Sequence, residues 1–471
     1  MAVPLLIKTS QETAISNDIS SERLINCFLT ERKENQVTKQ AIIGDHGYDI
    51  LGTATSGSVV RGAIATEDGT KGYIVIDNTL YSVDSGGTRT TIHTLTTSSG
   101  KVSMIIGATY MMLVDGTNGY TVKLSDDSYT QISDPNFVTN PAVVTYLDGY
   151  FATIGQISGL YWLVLSDIND PTSWPIINQI EPDGLGTLIS VVSFNRELWV
   201  MSTTHSIVYT DQPLSGTVVE FPLTMSYKYD YGISSAFGVA VINNSAYWIA
   251  RTRKSKAILV KASGATVEKV DNEDMNRLFQ SFSTVSDSFA YSFEDGGDEF
   301  ILISFPTLDQ TWMYYPRTNT FSQKIGSDGH YFIGNCYLFL NNKHTVGSRS
   351  SGRLYTLSLT SYAEDGGSAI PRTIILPTLY DNYNWVSLPL VRAVVDSSSF
   401  TAAQTWSFAV STDGGDNYHT TLTSSVALNT DYAQYTRISA GRRITGKLTF
   451  NAKYKFILVN IMAYVKSRGR S

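Results

Sequence analysis

The chain has 471 residues, 42% of them hydrophobic and 16% charged, with a formal net charge of −7 at pH 7. A charged share below the ~25% typical of soluble proteins, with 36 Gly and 28 Tyr, indicates a folded, turn-rich β protein. The net charge argues against a general nucleic-acid binder, and two distant cysteines, Cys27 and Cys336, exclude a disulfide framework and a cysteine-based metal site.

Residues 1–65 contain no full repeat and include a polar, partly charged stretch at 31–40. They are predicted to form an extended N-terminal arm with one or two strands. No uncharged apolar stretch approaches the ~20 residues that a membrane span needs, so no membrane span is expected.

Residues 66–365 carry a short strand-like phrase that recurs seven times, at intervals of 39 to 54 residues. One four-stranded blade of a β-propeller needs about 40–50 residues, and such a repeat buries its apolar faces only against neighbouring repeats. Dipeptides that favour tight hairpins, such as Asp148-Gly149, separate the strands. The sequence therefore predicts a propeller of about seven blades. The phrases occupy residues 78–84, 118–124, 159–165, 205–211, 256–262, 310–316 and 352–358.

A single helix is predicted at 271–282, with Asp271 as its N-cap. Its apolar residues follow the i, i+3, i+4, i+7 spacing of one helix face, which predicts that this face is buried. They are Met275, Leu278, Phe279 and Phe282.

Residues 363–369 are predicted to be a linker, and residues 370–471 a small C-terminal β-sandwich with a basic tail. Strands are expected near 373–376, 390–395, 405–410, 446–450 and 456–465. The predicted domains are thus 1–65, 66–365 and 370–471, in an all-β protein.

The charge is unevenly distributed, because the last 35 residues carry +9 without any Asp or Glu and the remainder carries −16. Lys453 and Lys455 alternate with Tyr454 and Phe456, which predicts a strand with one charged face. Two interpretations stay open: a strand edge protected by lysine, or a docking surface for an acidic partner or for DNA phosphates. The candidate docking residues are Arg437, Arg442, Arg443, Lys447, Lys453, Lys455, Lys466, Arg468 and Arg470.

The segment 411–418 has the S-x-D-x-G-x-x-Y pattern of sialidase Asp-boxes, in which the Asp supports its own hairpin. The acidic turn at 294–299 lacks the spacing of an EF-hand, and it is predicted to be a solvated hairpin tip. The six histidines lack ligand spacing, and nucleotide-binding and hydrolase motifs are absent. A Ser-His-Asp set assembled from distant loops stays open, but neither an enzyme nor a cofactor nor a metal is expected.

Several stretches resemble the tail-hub, or packaged-DNA stabilisation, family of short-tailed bacteriophages. The resemblance covers most of the chain, although His46-Gly47 stands where the family has Pro-Gly, and Val208 where an acidic residue is frequent. The stretches that carry it are residues 23–28 (RLINCF), 59–62 (VVRG), 166–174 with 181–184, 196–200 with 206–209, 231–235, the helix at 271–282, 411–418 and the basic run from Tyr435.

The resemblance implies a structural protein of the virion tail, assembled in the host cytoplasm. Copies, expected to number six, would form a ring below the portal and adaptor proteins and close the DNA exit. The ring would also hold tail spikes or fibres and a needle or plug. A net-negative body is consistent with this role, since DNA would pass without sequence-specific binding.

Two other functions are kept as alternatives. A propeller that binds or cleaves host-surface glycans would bring aromatic and acidic side chains together at one channel mouth. Trp162, Trp174, Trp312 and Trp385 would converge there, whereas we expect them to be dispersed in blade cores. A cellular protein-binding scaffold would be a stable monomer without phage neighbours.

Overall fold

The computed structural model describes residues 2–4, 22–34, 37–53, 59–182, 184–211, 223–270, 272–365, 367–381 and 384–468. Within these residues the fold is all-β, with one α-helix and two single-turn 3₁₀ helices at Ile176–Asn178 and Pro306–Leu308. The predicted fold class is confirmed: a seven-bladed propeller accompanied by a β-sandwich.

The strands that precede the repeats are divided among three sheets. Two of those sheets belong mainly to the sandwich, and the third is a propeller blade. The strands are β1 (Ala2–Pro4), β2 (Arg23–Ile25), β3 (Cys27–Glu34), β4 (Val37–Gly44) and β5 (Gly47–Leu51).

Blades 1 to 4 are antiparallel sheets of four strands that follow one another along the chain. Blade 1 comprises β6 (Val60–Ala65), β7 (Lys71–Ile76), β8 (Thr79–Asp84) and β9 (Arg89–Thr94). Blade 2 comprises β10 (Ser103–Ile106), β11 (Tyr110–Val114), β12 (Gly119–Lys123) and β13 (Tyr129–Gln131). Blade 3 comprises β14 (Val144–Leu147), β15 (Tyr150–Ile157), β16 (Leu160–Leu165) and β17 (Gln179–Ile180). Blade 4 comprises β18 (Leu188–Phe194), β19 (Glu197–Ser202), β20 (Ser206–Asp211) and β21 (Leu223–Tyr229).

Blades 5 to 7 depart from this plan in one detail each. Blade 5 has a divided first strand and comprises β22 (Gly232–Ile233), β23 (Val239–Ile242), β24 (Ser245–Arg251), β25 (Ile258–Ser263) and β26 (Thr266–Lys269). Helix α1 (Glu273–Ser281) then leads into blade 6, with β27 (Phe289–Asp295), β28 (Asp298–Phe305), β29 (Gln310–Tyr315) and β30 (Thr320–Gln323). Blade 7 takes only β31 (Gly334–Leu340), β32 (Lys343–Ser348) and β33 (Leu354–Ser358) from the repeat region.

The seven phrases found in the sequence all form the same element, the third strand of a blade. They correspond to β8, β12, β16, β20, β25, β29 and β33. The propeller prediction from their period is therefore confirmed.

The ring is closed by the N-terminal part of the chain. Strand β5 supplies the fourth strand of blade 7, where Leu51 pairs with Leu354 and Gly47 with Ser358. Propeller strands thus begin before residue 66, and β6 already opens blade 1 at Val60. The domain limits derived from the sequence remain predictions.

Each blade buries its apolar faces against its neighbours. Seven of the eight buried clusters in the described residues lie between successive blades, including one between blades 7 and 1. Trp174, for example, packs between blades 2 and 3. Burial between units explains why these repeats form one ring.

Helix α1 confirms the predicted apolar stripe. Met275, Phe279 and Phe282 are buried between blades 5 and 6, and Leu278 packs beside them. The N-cap is Asn272, whose side chain accepts a hydrogen bond from the Met275 amide at 3.0 Å. The predicted N-cap, Asp271, lies outside the described residues.

The Asn272 cap gives a testable effect on stability. Replacing Asn272 with alanine should lower the free energy of unfolding by about 1 kcal/mol, because the Met275 amide loses its acceptor. Aspartate at this position should preserve most of that stability. Chemical denaturation of the two variants measures the difference, and equal losses in both would contradict the capping role.

The C-terminal segment completes the sandwich together with the arm strands. Strands β34 (Ala363–Glu364) and β35 (Ser368–Ala369) form a short hairpin that extends blade 7. The chain then enters the sandwich. The segment predicted as a linker is therefore part of a sheet, because Glu364 pairs with Tyr48 of β5. The remaining strands are β36 (Pro371–Ile375), β37 (Leu379–Tyr380), β38 (Trp385–Val395), β39 (Gln404–Ser411), β40 (His419–Val426), β41 (Tyr432–Gly441), β42 (Arg443–Asn451) and β43 (Ile457–Arg468).

Two sheets enclose the sandwich core. One has the order β3-β4-β43-β38-β41 with β1 beside β43, and the other has the order β2-β36-β42-β39-β40 with β37 beside β42. Trp406, Phe450 and Phe456 pack in the core between them. Because β2 also pairs with β30 of blade 6, the sandwich is joined to the outer edge of that blade.

Candidate docking surfaces

The described basic residues predicted to dock a partner lie on the sandwich strands and on the connections between them, but they do not form one patch. Arg437 is on β41, Arg443 and Lys447 are on β42, and Lys466 is on β43. Arg468 ends β43, and Arg470 lies outside the described residues.

Four of the candidates meet at one end of the sandwich. Arg442 forms the turn between β41 and β42, and strand pairing places Tyr380 opposite Arg443. On the other sheet, Trp385 pairs with Arg468, and the next residue, Val386, pairs with Gly441, which directly precedes Arg442. The end that we call the sandwich tip consists of Tyr380, Trp385, Arg442, Arg443 and Lys466.

The tip combines positive charge with exposed aromatic surface. The side chains of Tyr380 and Trp385 are 63% and 52% exposed, and Arg442 and Lys466 are also exposed. Aromatic and arginine side chains are the residue types that dominate protein–protein binding energy. The tip therefore combines a positive charge with residue types that are enriched at the centres of protein–protein interfaces.

Lys447 lies further along the outer face of the same sheet. It pairs with Ile375, which in turn pairs with Arg23, so the three side chains share one face. The Lys447 ammonium lies 5.4 Å from the ring centroid of Tyr418.

The predicted strand around Lys453 and Lys455 is wrong. These residues belong to the connection between β42 and β43. The connection is fixed by Phe456, which is buried in the sandwich core and whose carbonyl accepts a hydrogen bond from the Gly44 amide at 3.0 Å. Lys455 lies 3.8 Å from Asp396, and Lys453 is exposed.

This connection marks the end of the sandwich that faces the propeller. Gly44 directly precedes Asp45, which contacts residues at the edge of blade 6. Since β42 has nine residues, it spans about 30 Å. The sandwich tip lies at the opposite end of β42.

A buried ionic cluster holds the arm on the propeller. Asp45 forms an ion pair with Lys324, and both side chains are at least nine-tenths buried. His46 places Nδ1 2.8 Å from Asp45 and Nε2 3.0 Å from Asp295. The His46 ring thus lies within hydrogen-bonding distance of both carboxylates. The cluster joins the arm to blade 6.

The same joint is fixed by Asn26, in the stretch 23–28 that carries the family resemblance. Its side chain donates to the carbonyls of Ile325 and Pro371 and accepts from the Ile325 amide, each at 2.9 Å. Its backbone φ is 56°, a conformation that asparagine tolerates better than most residues. Asn26 thus connects the arm, the end of blade 6 and strand β36.

Protonation of the ionic cluster should destabilise the fold in acid. Burial opposes ionisation of Asp45, but the Lys324 charge and the His46 contact hold its pKa far below the usual range. A hydrogen bond from His46 likewise lowers the pKa of Asp295. Because both pKa values are lower in the folded state, their stabilisation is complete above the unfolded value of about 3.9 and is lost as the pH falls below it.

We therefore expect the free energy of unfolding to decrease below about pH 4. Asp295→Asn should reduce this slope, since it removes one of the two carboxylates. Urea denaturation from pH 3 to pH 7 measures both slopes, and an identical acid slope in the variant would contradict the role assigned to Asp295.

The propeller axis holds a cavity of about 270 Å³ that is lined from the inner strands of all seven described blades. Lys101 reaches into it and donates to the backbone and side-chain oxygens of Asn335 at 2.6 and 3.0 Å. Burial lowers the pKa of Lys101 to about 7. The cavity is smaller than the roughly 300–1,000 Å³ of ordinary ligand pockets, so a DNA duplex cannot pass along this axis.

Both motifs considered for chemistry are structural. Asp413 accepts hydrogen bonds from the amides of Asp416 and Asn417 at 3.1 and 3.0 Å, within the hairpin between β39 and β40. The acidic turn at 294–299 is less solvated than predicted, because Asp295 contacts His46 and Asp298 pairs with Arg317 at 2.6 Å. The described residues contain no group of three potential metal ligands.

The tryptophans of the glycan hypothesis lie in different places. Trp162 and Trp174 pack between blades 2 and 3, and Trp312 packs between blades 5 and 6. The expectation that all four fill blade cores is wrong for Trp385, which is exposed at the sandwich tip. The sequence shows only that Trp385 begins an apolar, strand-like run, because its position beside the arginines depends on strand pairing.

Comparison with known proteins identifies one family. A family model described as bacteriophage P22 Gp10, β-propeller, matches residues 25–362. None of the curated proteins matches the chain in sequence. No helix in the described residues is long and apolar enough to cross a membrane.

Solved structures with some similarity include three proteins. The N-terminal domain of Nup159 is 8% identical with a TM-score of 0.43, covering 72% of this chain and 99% of that one. The designed protein Ika8 is 11% identical with a TM-score of 0.40, covering 66% and 99%. PorZ of Porphyromonas gingivalis is 10% identical with a TM-score of 0.41, covering 73% and 44%.

Similarity at these TM-scores carries no argument about this chain. The family match does, because it runs from the arm strand β2 through blade 7 and spans well over half of the 471 residues. This protein therefore belongs to the bacteriophage P22 Gp10 β-propeller family and is a phage structural protein.

Proposed function

We propose that the protein is the tail hub of a short-tailed phage. Six copies form a ring below the portal and adaptor proteins, close the DNA exit channel after packaging, and anchor tail spikes or fibres and a needle. The protein is not an enzyme and needs no cofactor. It is assembled in the host cytoplasm and resides in the virion tail.

Family membership over residues 25–362 is the observation that carries this proposal. The geometry supports it in two respects. The axial cavity of one propeller is too small for DNA, so a DNA channel requires a space enclosed by several copies. In addition, the residues before Arg437 carry −16, which disfavours adhesion of DNA to the wall of such a channel.

The sandwich supports a role in docking. It extends the sheet of blade 6 beyond its outer edge, and its tip carries exposed aromatic and basic residues. A rigid element that presents such residues at its end is suited to contact an acidic neighbour in an assembly.

DNA retention tests the proposal directly. Packaged heads that lack this protein should release their DNA to nuclease, and addition of the purified protein should protect it. A truncated protein without residues 370–471 is not a suitable control, because the arm strands need that segment to form the sandwich. The control is instead an unrelated propeller of similar size. If added protein leaves the DNA as accessible as the control does, the hub proposal is wrong.

A further inference from the structure

Exposed apolar side chains are unevenly distributed over the molecule. Of the thirteen large apolar side chains that are exposed in the described residues, six lie on blades 3 and 4 and five in the sandwich, where Tyr380 and Trp385 lie at the tip. Single exposed apolar residues are ordinary, whereas clusters mark contact surfaces.

The cluster on blades 3 and 4 includes the outer edges of both blades. Ile176 and Ile177, 71% and 49% exposed, precede the outer strand β17, while Met225 and Tyr227 lie on the outer strand β21. Ile168 lies in the connection that leads toward β17. We call these five residues the rim surface.

Strand β21 itself has the features of an uncovered edge. Among the described residues it is the last strand of its sheet, and residues 224–228 are all exposed. Soluble proteins usually shorten, charge or cover such an edge because it pairs readily with other chains. A partner that covers β21 would remove this exposure.

Charge distinguishes the two places. Residues 141–230, which include blades 3 and 4, contain nine Asp or Glu and two Lys or Arg, a net charge of −7. Residues 371–471, most of the sandwich, contain eleven Lys or Arg and five Asp, a net charge of +6. The segments that carry the two surfaces thus have net charges of opposite sign, and both surfaces are partly apolar.

The angle between the two surfaces around the propeller axis is compatible with a closed ring of copies. The sandwich is attached at blade 6, and blades 4 and 3 lie two and three blades away. In a seven-bladed propeller these steps correspond to about 103° and 154°. The two neighbours of a subunit in a six-membered ring lie about 120° apart, which is between these angles.

We propose that the sandwich tip of one copy binds the rim surface of the next copy. Tyr380 and Trp385 cover the apolar rim, and the tip arginines face acidic residues such as Glu181 and Asp230. The contact is heterologous, so the same two surfaces repeat around the ring. This inference rests on the proposed ring and names the surfaces that close it.

The test uses variants in which only one surface is blocked. The rim variant carries Ile176→Asp and Met225→Asp, and the tip variant carries Trp385→Asp and Arg442→Glu. Phe339→Asp, at an exposed apolar site on blade 7, is the matched control. Mass photometry records the assemblies at concentrations at which the wild type forms rings, with the portal–adaptor complex as a template if it is needed.

Each blocked variant should be monomeric, with at least tenfold weaker association, whereas the control should form rings. An equimolar mixture of the two variants should form dimers and nothing larger, because one intact rim and one intact tip remain. This dimer also shows that both variants are folded. Charge reversal of the rim alone (Glu181→Lys and Asp230→Lys) should abolish rings, and so should charge reversal of the tip alone (Arg442→Glu and Lys466→Glu). A variant that carries all four substitutions should form rings again.

Rings formed by either blocked variant, or dimers formed by one variant alone, would overturn this contact and leave the hub proposal intact. A wild-type protein that stays monomeric even with the portal–adaptor complex would overturn both.

Discussion

Replacement of Asp45 with alanine is expected to lower the free energy of unfolding by about 3–5 kcal/mol, because it leaves a buried charge without its partner. The ammonium of Lys324 would keep the 3.3 Å contact with the His46 carbonyl and its position 4.6 Å from the centroid of the Phe332 ring, but no carboxylate partner. His46 would lose the acceptor of its Nδ1 proton and of its own amide. Chemical denaturation at neutral pH measures the loss.

The matched variants are Lys324→Met and the double variant Asp45→Ala/Lys324→Met. The double variant should be more stable than the sum of the two single losses predicts, since it removes both buried charges together. Additive losses, or a loss below about 1 kcal/mol for Asp45→Ala, would show that the pair does not join the arm to the propeller.

Replacement of Arg61 with methionine is expected to cost at least about 3 kcal/mol, because several buried backbone carbonyls lose their donors. The Arg61 guanidinium donates to Gly100, Asp77 and Thr97 carbonyls at 2.7 Å and to the Ser99 carbonyl at 2.5 Å. It also donates to the Thr97 hydroxyl at 3.0 Å. This side chain fixes the loop that leads from blade 1 into blade 2.

Arg61→Lys is the control, since it retains the charge but supplies fewer, less rigidly placed donors. It should recover part of the stability. Hydrogen exchange should show faster exchange at residues 97–102 in Arg61→Met, while exchange in the sandwich stays unchanged. If residues 97–102 exchange as slowly in Arg61→Met as in the wild type, the role assigned to Arg61 is contradicted.

The propeller could be predicted from the sequence because its signal is local and repeated. Each phrase is a third strand buried between two blades, so the same apolar pattern recurs once per blade. The helix stripe could be predicted for the same reason, since a 3.6-residue period is visible within 12 residues. The strand phrase and the helix stripe both depend only on residues that are close together in the sequence.

The closure of the ring and the composition of the sandwich could not be predicted in this way. Leu51 pairs with Leu354, and Arg23 pairs with Ile375, each across more than 300 residues. Strand sequences specify which face is buried but only weakly specify a distant partner. The arm therefore has the local signal of an extended segment, although its strands complete one blade and two sandwich sheets.

The docking residues are only partly accessible to sequence reasoning. The excess of positive charge identifies the sandwich, but alternation around Lys453 predicts a strand where Phe456 instead fixes a connection. The grouping of Trp385 with Arg442 depends on strand register, which composition does not provide. The rim surface has no sequence signal because its exposure is a property of the folded blades.

The most direct test of the hub assignment is native mass spectrometry of the purified protein, alone and after mixing with a portal–adaptor complex. We expect the complex to gain a complete ring of six copies, without partially filled rings as stable end products. A protein that remains monomeric and adds no mass to the complex would contradict the assignment.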